Sequence, residues 1–283
     1  MVIIQRRPGS PGGPFKRETM MKRLLTVSLL GAAIAAGSAQ ARDYDTVRIG
    51  VDIPYVPMEY RTPSGELAGF DIELGNALCE QAELKCNWVE QGWDGIIPGL
   101  MSRKFDAIMS SMTINDERRQ QVLFSDPYLV PPSAWFAPAS TDLAGVDSND
   151  LKDRSIGVQR GTVQDNYVTD EFGDVANIQR YASADDVAVD METGRLDIAF
   201  LDYPTGQAAL LEGGEYKTLG EMMTEPKEYF GDGFGMAFRQ RDEALAEKFN
   251  EALATLKSNG TYDEIHDKYF NEDGTNAPQP DQE

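Results

Sequence analysis

One pattern constrains the fold of this chain more than any other, because it occurs twice. Arg48-Ile49-Gly50-Val51 returns as Ser155-Ile156-Gly157-Val158, and Lys104-Phe105-Asp106-Ala107-Ile108 returns as Arg195-Leu196-Asp197-Ile198-Ala199. The intervals, 107 and 91 residues, are too long for a solenoid, whose unit is about 20–50 residues. Each copy sits among alternating strand and helix signals. Val47–Val51, Cys86–Glu90 and Asp106–Met109 have strand character. Phe70–Ala82 carries a helical stripe (Phe70, Ile72, Leu74, Ala77, Leu78, Ala82), and a further helix opens at Asp94 behind Trp93. Such alternation implies parallel sheet covered by helices, and its recurrence implies two similar α/β lobes. Tyr128–Phe136, apolar and carrying Pro131-Pro132, is expected to cross between them as one strand. The Gly-rich stretch Gly231–Phe238 is expected to return, leading into helices over Asp242–Ser258 and Tyr262–Tyr269. The expected boundaries are residues 42–131 with 234–273 for the first lobe and 132–233 for the second, followed by a disordered tail over 274–283.

Open α/β lobes bind ligands at the carboxyl ends of their strands. The segments of interest are therefore Asp52–Tyr55, Ser110–Thr113, Gln159–Gln164, and Asp202 behind the strand Ile198–Leu201.

Met21-Lys22-Arg23, the apolar run Leu24–Ala36 and Ala39-Gln40-Ala41 form the basic start, apolar core and small-residue end of a secretory signal peptide. Cleavage is expected after Ala41, with export of the mature chain. The run is too short to span a bilayer, and no cysteine near the cleavage point offers a lipid attachment site. Residues 1–20 are expected to lie upstream of a start at Met20 or Met21; Arg6-Arg7 is too far from the apolar run for a twin-arginine signal. In an exported chain the two cysteines, Cys79 and Cys86, are expected to pair. The bond would tie a helix end to the next strand and contribute ~2.5 kcal/mol on a chain-entropy argument; two buried thiols are the alternative.

The chain has 47 acidic against 26 basic residues and a net charge of −21, which becomes −26 without residues 1–41. This balance argues against nucleic acid, which needs clustered Lys and Arg, and suits a saline medium where screening is short-ranged. The single histidine, His266, excludes HExxH and three-His zinc sites. No GxSxG nucleophile elbow accompanies it, so a plain surface-helix position is expected. The phosphate-binding Gly-x-x-x-x-Gly-Lys-Ser/Thr sequence is absent, which argues against a P-loop ATPase in this chain.

Several segments in order carry a family resemblance: Gly65-Glu66-Leu67-Ala68-Gly69-Phe70-Asp71, Trp93-Asp94-Gly95-Ile96-Ile97-Pro98-Gly99-Leu100, Lys104 to Ile114, Arg118, Phe124-Ser125-Asp126-Pro127-Tyr128, Gly161-Thr162 and Gly260-Thr261-Tyr262. Over roughly Thr46–Asn271 the chain resembles the periplasmic polar amino-acid-binding proteins of ABC importers, the group that takes lysine, arginine, ornithine and histidine. The resemblance implies a two-lobed type II periplasmic-binding-protein fold, α/β in both lobes, with two crossing strands and the ligand cleft between. It also implies no cofactor or metal, no covalent chemistry, a basic L-amino acid as ligand, and an inner-membrane permease with a separate ATPase subunit as partner; a monomer is expected because no long amphipathic seam is left spare.

Residue by residue, the resemblance implies that Arg118 and Thr113 take the ligand α-carboxylate, for which a guanidinium fork is suited. Thr162, Val163 and Gln164 bring a helix N-terminus to the same anion. Asp202, Ser110 and Ser111 take the α-ammonium. Tyr55 and Trp93 sandwich the side chain, and a cation between them gains from the ring faces. Asp52 and Asp71 lie at the far end and favour a distal cation, with Gln159 nearby. Each has a plainer reading: a solvated charge for Arg118, an N-cap for Thr162, a strand-end turn or cap for Asp202, core or rim aromatics for Tyr55 and Trp93, a structural acid for Asp71. Two departures stand out. Val163 stands where many relatives have Thr, and Gln159-Arg160 precede the Gly-Thr motif where an apolar residue followed by Gln or Ser is usual. Arg160 leaves open an opine-type conjugate (octopine or nopaline). The rival of a different kind is an exported prephenate/arogenate dehydratase-like enzyme on the same scaffold, using a cleft carboxylic acid as proton donor.

Overall fold

The computed structural model describes residues 46–270, with Ile3 and Gly9. The expected signal peptide core, its cleavage point and the tail over 274–283 lie outside the described residues. The first half runs β1 (Val47–Val51), a hairpin of β2 (Tyr60–Arg61) and β3 (Leu67–Ala68), α1 (Phe70–Gln81), β4 (Cys86–Glu90), a 3-10 turn (Trp93–Gly95) continuing into α2 (Ile96–Met101), β5 (Ala107–Ile108), α3 (Asp116–Arg119) and β6 (Leu123–Phe124). The second half runs β7 (Ser133–Pro138), β8 (Ser155–Gln159), α4 (Val163–Phe172), β9 (Asn177–Tyr181), α5 (Ala184–Glu192), β10 (Ile198–Asp202), α6 (Tyr203–Gly206), β11 (Tyr216–Met223) and α7 (Lys227–Phe230). The chain then returns through β12 (Ala237–Phe238) to α8 (Glu243–Asn259) and α9 (Thr261–Tyr269).

The two five-stranded sheets have the same plan: β4-β1-β5-β12-β6 in one and β9-β8-β10-β7-β11 in the other. In each, the first three strands pair in parallel and the last two pairings are antiparallel, so that only the fourth strand runs against the rest. β1 corresponds to β8 and β5 to β10, and this is the physical content of the sequence echo. The aspartate before β5, Asp106, accepts the Arg48 N–H at 3.3 Å; the one before β10, Asp197, accepts the Ser155 N–H at 2.7 Å. Gly50 and Gly157 leave room for the residue preceding those aspartates. A Cβ at Gly50 would fall 2.6 Å from the Phe105 ring, and one at Gly157 would fall 2.4 Å from Leu196 Cδ1.

The fold is thus two α/β lobes joined by two crossing segments. Tyr128–Phe136 is not one continuous strand, as the sequence suggested. The Tyr128 N–H donates to Phe234 O (2.9 Å) and the Phe234 N–H to Leu129 O (2.7 Å). The ladder then lapses, because Pro131 and Pro132 have no N–H to give, and resumes at Ser133. At the return crossing Gly231 sits at φ +56°, where a Cβ would fall 1.9 Å from Ile114 O, so glycine alone fits.

Cys79, near the end of α1, is bonded to Cys86 at the head of β4, with Cα atoms 6.2 Å apart. Arg239, just past β12, is buried and donates to Leu100 O (3.2 Å), Phe105 O (2.8 Å) and Asp106 Oδ1 (3.1 Å), while Asp242 Oδ2 lies 2.6 Å from its Nε. Hydrogen bonds and charge from Arg48 and Arg239 hold the Asp106 carboxyl below its ordinary range, outweighing its burial. His266 lies on α9, edge-on to Phe70 and stacked beside Tyr262. Among the described residues no helix is long and apolar enough to cross a membrane.

Candidate binding cleft

The carboxyl ends of β1, β5, β8 and β10 face each other across the gap between the sheets, and there they line a pocket of about 310 Å³, part of it open to solvent. Its lining is Asp52, Tyr55, Glu59, Trp93, Ser110, Ser111, Thr113, Arg118, Gln159, Thr162, Val163, Gln164 and Asp202. Every residue singled out from the sequence is present except Asp71, and Glu59 is an addition.

Arg118 is the cation of the lining and is 7% exposed, which excludes a solvated-charge role. The one-turn helix α3 places it: Asn115 caps that helix by accepting the Arg118 N–H at 3.0 Å. The guanidinium donates to Thr113 O (3.0 Å) and, more weakly, to Gly161 O (3.4 Å), and lies 5.2 Å from the Trp93 ring centroid. Burial lowers its pKa to about 10, so it remains a cation at neutral pH. Opposite it, Thr162 caps α4 through Asp165 N–H (3.2 Å) while lining the cavity. The Val163 N–H meets no acceptor among the described residues. The Val163 side chain offers no hydroxyl, and the backbone donor remains.

Asp202 caps nothing with its side chain. Its carboxylate accepts from Tyr55 OH at 2.6 Å and from Gln164 Nε2 at 2.7 Å. Burial raises its pKa to about 6, against the lowering by those two donors and by the Arg118 charge. Tyr55 is itself buried, its phenol pushed well up by burial and the neighbouring Asp202.

At the other end, Asp52 accepts from Gln159 Nε2 at 3.2 Å. Burial lifts its pKa to about 6, the Gln159 and Trp93 donors opposing. The second hydrogen of the Gln159 amide goes to Ala182 O at 3.3 Å. Ser110 Oγ accepts the Asp52 N–H (2.9 Å) and donates to Glu59 Oε1 (2.7 Å), so its hydroxyl is already committed. Ser111 holds a left-handed backbone (φ +51°), a strained state of the kind found at functional sites.

Asp71 is the correction. It lies beneath the floor, fully buried, where it accepts from Ser111 N–H (2.7 Å), Ser111 Oγ (3.4 Å) and Tyr128 OH (2.8 Å). Its place on the lining is taken by Glu59, 1% exposed and bridged to Tyr55 behind β1. The available signal was a lone acid between Met58 and Tyr60, both buried. Arg160 is not part of the lining; it is half exposed at the lip, paired with Asp94 at 3.2 Å.

The two sides touch at several points. Besides Tyr55–Asp202, Gln159–Asp52 and Arg160–Asp94, Trp93 Nε1 donates to Gly161 O (3.1 Å) and Asn166 Nδ2 to Glu117 Oε2 (3.3 Å). The cleft is closed.

Residues 47–272 match the model of the bacterial extracellular solute-binding proteins, family 3. The chain belongs to this family. Among curated relatives it is 40% identical over 257 residues to an L-arginine-binding protein of Pseudomonas aeruginosa, covering 89% of this chain and 98% of the relative. It is 37% identical over 256 residues to the lysine/arginine/ornithine-binding periplasmic protein of Escherichia coli, covering 89% and 97%. Among solved structures, an ancestral arginine-binding protein bound to arginine superposes with a TM-score of 0.74 at 30% identity, covering 80% of this chain and 98% of that one. An ancestral amino-acid-binding protein described as a precursor of cyclohexadienyl dehydratase gives 0.70 at 30% identity, covering 79% and 95%. The solute-binding relatives are thus periplasmic amino-acid-binding proteins, and the two-lobed fold of this family 3 chain is theirs.

Proposed function

We propose that this family 3 protein captures a basic L-amino acid in the periplasm, arginine foremost, by closure of the two lobes, and delivers it to a membrane permease driven by a separate ATPase. The observation that carries the reading is the charge inventory of the cavity: three carboxyl groups, Asp52, Glu59 and Asp202, and one guanidinium, Arg118. A basic amino acid is the complement, with two cations and one anion. In this reading Arg118, Thr113 and the Val163 N–H hold the α-carboxylate. Asp202, steadied by Tyr55 and Gln164, holds the α-ammonium. Tyr55 and Trp93 flank the stem, and Asp52 with Glu59 meets the distal charge. An acidic side chain would face two carboxyls and be rejected. Affinity comes from charge pairing in a closing cleft. The sequence-derived signal peptide (residues 1–41) and the lobe boundaries near residues 131 and 233 belong to the same proposal, the latter supported by the crossings at Leu129 and Phe234.

The test is a thermal-shift panel on protein unfolded and refolded to strip carried ligand, with the twenty amino acids, ornithine and octopine. A ligand at about a thousand times its Kd adds ~4 kcal/mol and several degrees of Tm. A shift with arginine, lysine, ornithine or histidine supports the reading; no shift with any amino acid refutes it. A shift with octopine alone would redirect it to an opine, against which the Arg160–Asp94 pairing outside the lining argues. The second reading, a dehydratase, draws on the cleft carboxyls of raised pKa and on the ancestral precursor. Turnover of prephenate or arogenate would establish it.

A further inference from the structure

Glu59 and Asp71 are two buried carboxyl groups with no cation between them among the described residues. Ser110 Oγ satisfies Glu59 Oε1, and Ser111 and Tyr128 satisfy Asp71 Oδ2. Among the described residues, Glu59 Oε2 and Asp71 Oδ1 meet no hydroxyl, amide or cationic donor. The group each outer oxygen has left is the other carboxyl. The titratable groups around the pair are acids: Asp52 behind β1 acts on Glu59, the phenols of Tyr55 and Tyr128 flank it, and Tyr262 of α9 faces Asp71. Arg118, the cation of the cavity, is turned to Thr113 O and Gly161 O. Two carboxylates in contact and out of water do not both ionise without a counter-charge. Burial and the Asp71 charge push Glu59 well up, and burial brings Asp71 to about 6. One proton held between the outer oxygens satisfies both.

We propose that Glu59 exchanges this proton for the side-chain charge of the ligand. The inference rests on the basic amino-acid reading of the same cavity. When a guanidinium reaches the distal end, the Glu59 O–H bond breaks heterolytically. The proton passes to solvent, and the carboxylate pairs with the ligand cation. When the side chain ends in a neutral ureido or carboxamide group, the proton stays shared between Glu59 and Asp71, because no ligand charge arrives to replace it. The pair thus makes charge selectivity a function of pH. Above about pH 7, where Asp202 is already ionised, affinity for arginine rises up to tenfold per pH unit wherever the empty site holds the proton, whereas affinity for its uncharged isostere citrulline stays flat.

The experiment is titration calorimetry of the protein with arginine and with citrulline, between pH 5.5 and 8, in buffers of contrasting ionisation enthalpy. Protons exchanged are read from the dependence of the binding heat on the buffer. Above about pH 7, where Asp52 and Asp202 are already largely ionised in the empty protein, the expected result is release of about one proton with arginine and none with citrulline. Glu59→Gln, which mimics the protonated acid, should abolish the release and retain citrulline binding. Asp52→Asn should retain the release above pH 6.5 and so separate Asp52 from the pair. Equal proton counts for the two ligands, or a release unchanged in a cooperatively folded Glu59→Gln protein, would overturn the exchange while leaving the substrate reading intact. Absence of binding by either ligand would overturn the substrate reading and the exchange with it.

Discussion

Arg118→Ala tests the proposed anchor of the ligand carboxylate. The guanidinium is buried and held by Thr113 O and Gly161 O, with Asp202 near enough to feel its charge. A planar fork in such a setting gives a carboxylate two charge-assisted hydrogen bonds, each worth about 1.5–3 kcal/mol. Truncating one member of a desolvated charge pair costs about 2–5 kcal/mol. The expected loss for arginine is therefore about 3–5 kcal/mol, a 10²- to 10⁴-fold rise in Kd. The empty protein should change little in Tm, because the substitution orphans a carbonyl but also removes a desolvated cation. The assay is calorimetric titration of both proteins with arginine and with argininamide, which retains both cations and lacks the carboxylate. Argininamide should bind the parent protein weakly and the variant no worse. A loss for arginine of less than about tenfold, ~1.4 kcal/mol, would refute the assignment, as would equal losses for the two ligands.

The ligand-free protein should gain stability on mild acidification. Asp52 and Asp202 release their protons near pH 6 in the folded state, against an ordinary 3.8. Between those values the native state binds more protons than the unfolded chain, so stability falls as pH rises from about 4 to 6, by up to about 3 kcal/mol for each group. Tm of the stripped protein should therefore be higher at pH 5 than at pH 7.5, and saturating arginine should narrow the gap; a stripped protein that gains Tm with rising pH across this window contradicts the burial argument. Replacing both cysteines by serine should cost about 2–3 kcal/mol, read as a lower urea midpoint, and reducing agent should then have no further effect. Gly157→Ala places a methyl 2.4 Å from Leu196 Cδ1 and 2.9 Å from Val187 Cγ1. It should cost about 1–3 kcal/mol by overpacking, with arginine Kd unchanged, and an unaltered midpoint would mean that the second sheet shifts to accept it.

The sequence by itself determined what local pattern and chemistry can specify. The two echoes placed β1, β5, β8 and β10, because a glycine opposite a bulky residue and an aspartate clasping the neighbouring strand are short-range requirements. The family motifs marked the strand ends, and all but one of the marked residues line one cavity. What the sequence left open was decided by contacts between residues far apart in the chain. Whether Arg118 was solvated or buried depended on Trp93 and Gly161 closing over it. Glu59 and Asp71 are both acids near β1, and nothing local distinguishes the one that lines the cavity from the one beneath the floor. That choice is made by Ser110, Ser111 and Tyr128, 40 to 57 residues away from their carboxylate partners. Arg160, a lone cation beside the Gly-Thr motif, became a lip residue when Asp94 arrived from the other lobe. Strand and helix follow from neighbours along the chain, but the burial of a charge, and hence its protonation and its use, depends on which partners the closed lobes bring to it.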